Sequence, residues 1–497
     1  MTALWLAWLM AAAAQASGGY RIAGTVVNSA SGRPVAGARV ILVPLDRRDR
    51  QMSAVTGEGG RFAFTGLPSG KYELAGQRRG LLAGMRTGAI AAGPGQDTEN
   101  IVLRLPQPAA ISGKVVDDAG EPVAGALVEL LGSRIVEGRR QLAERSSDHT
   151  DDIGEYRFPS LPAGSYYLVV SGVPWYTRFN ETHGDSAPRG MTHAGYGIRY
   201  HPNVGEPAAA EPLVLKAGQE ATSNFTLLTV SAAPVFVHCE EQEDLAKQYT
   251  LIAAGLPGNP AYVRRGSETG DLYNLWGLPP GHYTLRAEAT DGSRTWYGAT
   301  EFDAGASDTD VSVTLHEAPA LSGMVVLASG GNLPAHLTVL LRDETGHSQS
   351  VTVGADGRFS IPAVPPGRYR VSIAGADDYY LRRVGELLDI QPGAAARLSL
   401  PLARGAGRVA GTVYRDGQPF ADALVVMTPG DRSVASNSDG TYEFRGLPAG
   451  EYALFAVEDG ADLEYANPAA IRPYLIGAKK VQVPSGSSDN LRLDIRK

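Results

Sequence analysis

The chain has almost no cysteine. Cys239 is the single one in 497 residues. No internal disulfide can hold any part together, so each folded unit must be stabilised by its own apolar core. Long hydrophobic runs are missing as well. Past the N-terminus, no stretch reaches the roughly 20 apolar residues that a membrane-spanning helix needs. There is no excess of base either: Lys and Arg number 45 against 53 Asp and Glu, a net charge of −8. That excludes an ordinary nucleic-acid footprint, which requires a basic face. Neither a Gly-x-Ser-x-Gly elbow nor a phosphate-binding glycine loop occurs, so two common catalytic signatures are absent.

Glycine (60) and proline (32) are abundant, and both fall at regular places. The pattern predicts many turns in an all-β protein rather than a low-complexity chain. The N-terminal residues 1–16 read as a secretory signal peptide. Leu4 to Ala14 is apolar, and Ala14-Gln15-Ala16 is a small-x-small cleavage site. No Lys or Arg precedes the apolar run, and the competing reading is an N-terminal membrane anchor. Export is the expectation, to the periplasm, the outer cell surface or the medium.

One phrase organises the rest. Leu67-Pro68-Ser69-Gly70-Lys71-Tyr72 returns as Leu161-Pro162-Ala163-Gly164-Ser165-Tyr166 and Leu278-Pro279-Pro280-Gly281-His282-Tyr283. It returns again as Val364-Pro365-Pro366-Gly367-Arg368-Tyr369 and Leu447-Pro448-Ala449-Gly450-Glu451-Tyr452. Five copies predict five structural units. Proline presets φ at the second turn position and glycine suits the last. The tyrosine then starts a strand with its ring inward and its hydroxyl near the turn backbone, as in a tyrosine corner.

The units are expected at residues 20–105, 109–228, 230–315, 319–402 and 407–495, here modules 1 to 5. Modules 1, 2 and 5 carry the full plan. A first strand holds Gly-x-Val (Gly24, Gly113, Gly411). A lead such as Pro122-Val123-Ala124-Gly125-Ala126 enters the second strand. A glycine turn precedes paired aromatics, Phe62 and Phe64, Tyr156 and Phe158, or Tyr442 and Phe444. Alternation points both rings of a pair to one face. Module 4 keeps fewer of these features and module 3 fewest. Short strands at close, regular intervals predict sandwiches. One patch, Glu240 to Gln248, looks helical. The short linkers between modules predict a rod with limited bending.

This set of motifs resembles the carboxypeptidase regulatory-like domain family, whose sandwiches are similar to transthyretin-like and Cna B-like domains and to starch-binding modules. The resemblance covers nearly all of the chain after residue 20. It implies an all-β tandem array of five immunoglobulin/transthyretin-like β-sandwich modules. It implies little about function, because such domains accompany many exported proteins.

Several residues invite chemistry. His238 and Glu241 form a His-x-x-Glu pair, as zinc peptidases have, but no α/β peptidase domain surrounds them. His183, His193 and His201 with Asp185 share one loop without metal-motif spacing. Asp148, Asp151 and Asp152 cluster beside a turn, where calcium ligation competes with local turn hydrogen bonds. Lys114, Asn224 and Glu129 sit at roughly the places of the amide crosslink that some Cna B-like domains form. Asn100 and Asn490 repeat the asparagine opposite Thr25 and Thr412, so the repeat explains it without a crosslink. No catalytic residue, metal or cofactor is expected.

The richest signal is aromatic. Module 2 is lengthened by an insertion at 173–212 that holds Trp175, Tyr176, Phe179, Tyr196 and Tyr200. Long loops on a sandwich commonly carry binding, and flat rings suit stacking on sugar faces. The competing reading is that the rings form the loop's own small core. Trp276 is expected in the core, and alternation should bury one of Trp296 and Tyr297 and one of Tyr379 and Tyr380. The expected role is that of a non-enzymatic interaction protein, with a glycan or another envelope protein as partner. The alternatives are a structural spacer or scaffold of the cell envelope and an accessory partner of a separate peptidase.

Overall fold

The computed structural model describes residues 19–496, except 86–87, 96–97, 178–192, 240–243, 257–258, 270–271, 344–347, 377, 383–386, 395, 406, 430–431, 459 and 484–486. The signal-peptide expectation at 1–16 lies outside the described residues. Strands dominate, as expected; modules 1 to 4 each divide into two main sheets, whereas in module 5 Gly450–Val457 pairs with Ser487–Arg496 and joins the strands into one eight-stranded sheet.

Each unit pairs its first strand antiparallel to the strand before the Leu-Pro turn, and parallel to its last strand. In module 1, Tyr20–Asn28 lies between Arg61–Leu67 and Ile101–Leu105. In module 4, Leu321–Leu327 lies between Arg358–Ile361 and Ala396–Arg404. The parallel pairing explains the first-strand glycine. A Cβ on Gly24, Gly113 or Gly411 would overlap the carbonyl oxygen of Ile101, Ser223 or Leu491 on the last strand. Only glycine permits that approach. A second set of strands is built on the one that begins at the staple glycine, such as Gly70–Gln77 against Arg39–Pro44.

The tyrosine corner is present five times. Tyr72, Tyr166, Tyr283, Tyr369 and Tyr452 each donate from the hydroxyl to the carbonyl of the proline four residues earlier, at 2.7–2.9 Å. A second staple accompanies it in three modules. Thr56, Thr150 and Ser436 are buried, and each hydroxyl accepts from the backbone N–H of Ala38, Ala126 or Ala423. Each also donates back to a carbonyl in the same lead, that of Val35, Val123 or Phe420. The lead itself turns through a positive φ at Gly37 (67°) and Gly125 (68°); in module 5 Asp422 takes that place at 62°. Asp tolerates the left-handed region better than most residues.

Module 3, the least regular in sequence, has a core as continuous as the others, from Val235 and Tyr249 through Trp296 to Leu315. Module 4 divides its core into two smaller clusters, around Val339 and around Leu341. The helix expected at Glu240 to Gln248 is not found among the described residues. Residues 246–248 begin the strand Ala246–Leu256, because Lys247, Tyr249, Leu251 and Ala253 alternate onto one buried face. Residues 240–243 lie outside the described residues.

The modules are not strung end to end. In modules 1, 4 and 5 the hairpin beside the staple strand is short, as in Leu424–Thr428 with Arg432–Ala435. In modules 2 and 3 it is long: Leu127–Val136 with Arg139–His149, and Ala246–Leu256 with Asn259–Thr269. The surplus reaches neighbours. Leu256, at the tip of the module 3 hairpin, packs with Leu131, Val169 and Tyr200 of module 2. The tip of the module 2 hairpin touches modules 4 and 5. Nothing in the local strand pattern announced this folding back, and it departs from the expected rod.

Candidate functional site

The insertion of module 2 leaves the strand Gly164–Ser171 and turns at Pro174. Thr177, itself buried, secures the turn. Its N–H donates to the Pro174 carbonyl at 3.0 Å and its hydroxyl to the Ala194 carbonyl at 2.9 Å. The two residues between them therefore face out. Trp175 is 78% exposed and Tyr176 46%. Their rings meet edge to face, with centroids 5.6 Å apart at 83°, a favourable quadrupolar arrangement. Phe179 lies outside the described residues.

The second half of the insertion behaves oppositely. Tyr196 sits on His193–Tyr196, which pairs with Thr229–Ala232 at the junction with module 3. It is 4% exposed and packs in the module 2 core. Tyr200 sits on Arg199–Tyr200, paired to the staple strand, and is 1% exposed. Both rings are thereby removed from the solvent-facing surface on which a loop reading had placed them. The reason is the sheet beneath. Leu131 and Val169 point away from the module 2 core, and strands apolar on both faces require cover on both. Tyr200 supplies it, together with Leu256 of module 3.

The electrostatics follow from burial. Burial, then the charges of Asp117 and of neighbouring groups, pushes the Tyr196 hydroxyl up to about 12; it stands 3.5 Å from Asp117 Oδ2. Burial, helped by Glu129 and Glu206, pushes Tyr200 up to about 12 as well. Asp117, Asp118 and Tyr176 all act on the Tyr196 hydroxyl, and Asp118 Oδ1 accepts from the Thr229 hydroxyl at 2.9 Å.

The other candidates do not assemble. His201 Nδ1 is 2.8 Å from the buried Ser223 hydroxyl, and burial lowers its pKa. His183, Asp185 and the His193 side chain lie outside the described residues. Among the described residues no group of three His, Cys, Asp or Glu could hold a metal ion. His238 Nε2 meets Asp310 at 3.1 Å across the parallel strand pair, and Glu241 lies outside the described residues. Asp151 Oδ1 accepts from the backbone N–H of Ile153 and Glu155, and Asp148 from those of His149 and Arg157. These are local turn bonds. Lys114 offers only its backbone N–H to Asn224 Oδ1, at 3.0 Å. By strand alternation Lys114 and Glu129 belong to opposite outer faces of the sandwich, with Ile111, Val115, Val128 and Leu130 between them in the core. The crosslink trio therefore does not converge.

Trp276 is buried, paired with Phe236. Trp296 is buried in the module 3 core, whereas Tyr297 is half-buried with its hydroxyl 3.3 Å from Glu288. Tyr379 and Tyr380 are both half-buried, since Tyr379 packs on the module 4 core while Tyr380 lies near Tyr452 of module 5. Sequence reading missed a second insertion, after the staple strand of module 5. Asn467 caps the helix Pro468–Leu475, accepting from the Ala469 N–H at 3.1 Å. Ile471, Leu463 and Tyr465 then cover Val426, Phe455 and Val457. Two signals announced it: the unbroken apolar run Leu454-Phe455-Ala456-Val457, and Asn before Pro at a helix start.

The carboxypeptidase regulatory-like domain matches residues 21–105, 110–184, 320–403 and 408–495, more than half of the chain. No curated protein matches the sequence. Among solved structures, the chain is similar to the TIE protein of Bacillus anthracis at 14% identity, covering 77% of this chain and 73% of that one, with a TM-score of 0.19. It is similar to GBS52, a minor pilin of Streptococcus agalactiae, at 16% identity (42% and 96% covered, TM-score 0.23). It is also similar to two B repeat units of the collagen-binding protein of Staphylococcus aureus, at 10% identity (77% and 99% covered, TM-score 0.14). Likeness at these scores carries no argument about ligand or partner.

Proposed function

This chain belongs to the carboxypeptidase regulatory-like domain family, and from that premise we propose that it is an exported, non-enzymatic interaction protein whose ligand-facing surface is Trp175 with Tyr176. The ligand class is glycan. The observation that carries the reading is the exposure of an indole and a phenol, side by side, on a turn held by the buried Thr177. Large exposed rings cost solvation, and a stiff support for them is what a stacking surface needs.

In the chain without residues 1–16, which hold Trp5 and Trp8, Trp175 is the test's own probe, because Trp276 and Trp296 are buried. A glycan array followed by tryptophan fluorescence with iodide should show quenching that the bound glycan suppresses. The Trp175→Ala variant should lose binding while keeping its fold. An array blank for the wild-type chain would remove glycan as the ligand class.

A second reading, an assembly scaffold, is favoured by one specific observation. The long hairpins of modules 2 and 3 make contacts between modules. Scaffolding predicts that binding to a protein partner survives Trp175→Ala.

A further inference from the structure

Module 5 lies against two modules that are distant in sequence. Gly138, in the turn of the module 2 hairpin, accepts at its carbonyl from the Ala466 N–H at 2.9 Å. Its Cα abuts the Tyr465 ring, so closely that a Cβ would overlap it. Arg140 then donates from Nη2 to the Asp462 carbonyl and from Nε to Glu464 Oε1, both at 3.0 Å. Its remaining nitrogen is held by the Ser133 hydroxyl at 3.0 Å. Beside it, Glu137 Oε1 faces Arg342 of module 4 at 3.5 Å. Module 1 makes a separate contact. The Gly88 N–H donates to Asp422 Oδ1 at 2.8 Å, and the Ser438 N–H donates to the Ala89 carbonyl at 3.1 Å.

We propose that the array closes on itself in solution, with module 5 as a reversible latch seated on the hairpin tip of module 2 and on the Gly88–Ala89 turn of module 1. Three features support a built latch. The module 2 hairpin overhangs its own sandwich, unlike the short hairpins of modules 1, 4 and 5. The receiving loop is pinned in advance, because Leu463 and Tyr465 pack on the outer face of module 5's own sheet. Asp422, the acceptor for module 1, stands where modules 1 and 2 place a glycine, at 62° of positive φ. The contacts are backbone bonds and part-exposed ion pairs, not an apolar seam. Such part-exposed pairs contribute little, and they weaken further as salt shortens the Debye length from about 8–10 Å toward about 3 Å near 1 M. Salt should therefore open the latch without unfolding any module. This inference goes beyond the glycan reading and stands without it.

Small-angle scattering with sedimentation on the full chain tests it. A compact chain of this length has a radius of gyration of about 23 Å, and one strung end to end roughly twice that. The wild-type chain should lie nearer the smaller value at low salt and expand in high salt, with unchanged circular dichroism. Arg140→Glu should expand it at low salt, and Arg140→Glu with Glu464→Arg should restore it. Arg134→Glu, the same charge change on the same hairpin, should leave the shape alone. An extended wild-type chain at low salt, or no response to Arg140→Glu, would overturn the proposal. So would compaction that appears only as the mass doubles, since that places module 5 on a second copy.

Discussion

The two halves of the module 2 insertion are both rich in aromatic residues, and the rings described in them meet opposite fates. Trp175 and Tyr176 sit on a turn that no described residue covers, and they stay at the surface. Tyr196 and Tyr200 sit on strands that pair into the fold, and they are buried. What separates them is the surface beneath. Tyr200 lies over Leu131 and Val169, which need cover, and Tyr196 packs into the module 2 core; the first half lies past the end of the staple strand. An aromatic cluster in a sequence is therefore not one feature, and exposure and burial can divide it within 25 residues of each other.

The comparison can be broken most severely at Tyr200. Tyr200→Ala should cost about 3–5 kcal/mol, as truncations of buried aromatics do, read as a lower urea midpoint. A loss under about 1 kcal/mol would mean that its burial carries little. Alkaline pH attacks the same half. The folded pKa values of Tyr196 and Tyr200 lie above the unfolded value near 10, so their neutral forms are the ones the fold favours. Their contribution is complete below pH 10 and is lost as pH rises toward 12. Thermal unfolding between pH 9 and 12 checks this, and Tyr200→Phe should flatten the slope.

Smaller changes sharpen the boundary between the halves. Thr177→Val deletes the hydroxyl that ties the exposed turn to Ala194, at about 1 kcal/mol. It should also loosen Trp175, read as lower fluorescence anisotropy. Tyr166→Phe, which removes one corner bond, should cost a similar amount while leaving that anisotropy alone. Trp175→Ala should change stability by less than about 0.5 kcal/mol, as exposed substitutions do, yet abolish glycan binding.

Much of each sandwich was legible in advance. The Leu-Pro-x-Gly-x-Tyr phrase predicted a corner, and all five hydroxyls make its bond. Paired rings such as Tyr156 and Phe158 face inward as their alternation required. The hydroxyl staples at Thr56, Thr150 and Ser436 went unread, since a lone Thr or Ser in a turn carries no periodic signal. The patch from Glu240 looked helical because its charged residues masked the two-residue period that begins at Lys247. Of the candidate site, only the position of the insertion was legible. Which rings face solvent was not, because local period reports the two faces of a strand and not what later covers them.

By itself the sequence determined the repeat count, the all-β class, the corner at each staple and the first-strand glycines. Each of these follows from interactions within one module, where a few neighbouring residues set φ, alternation and close backbone approach. Tertiary structure alone decided that Tyr200 is covered by module 3, that Trp175 is not covered, and that module 5 rests on modules 1 and 2. Those outcomes depend on segments up to several hundred residues apart, as with Gly88 and Asp422. No local pattern encodes such a meeting, because only the assembled outer faces decide which surplus strand or loop lies over them.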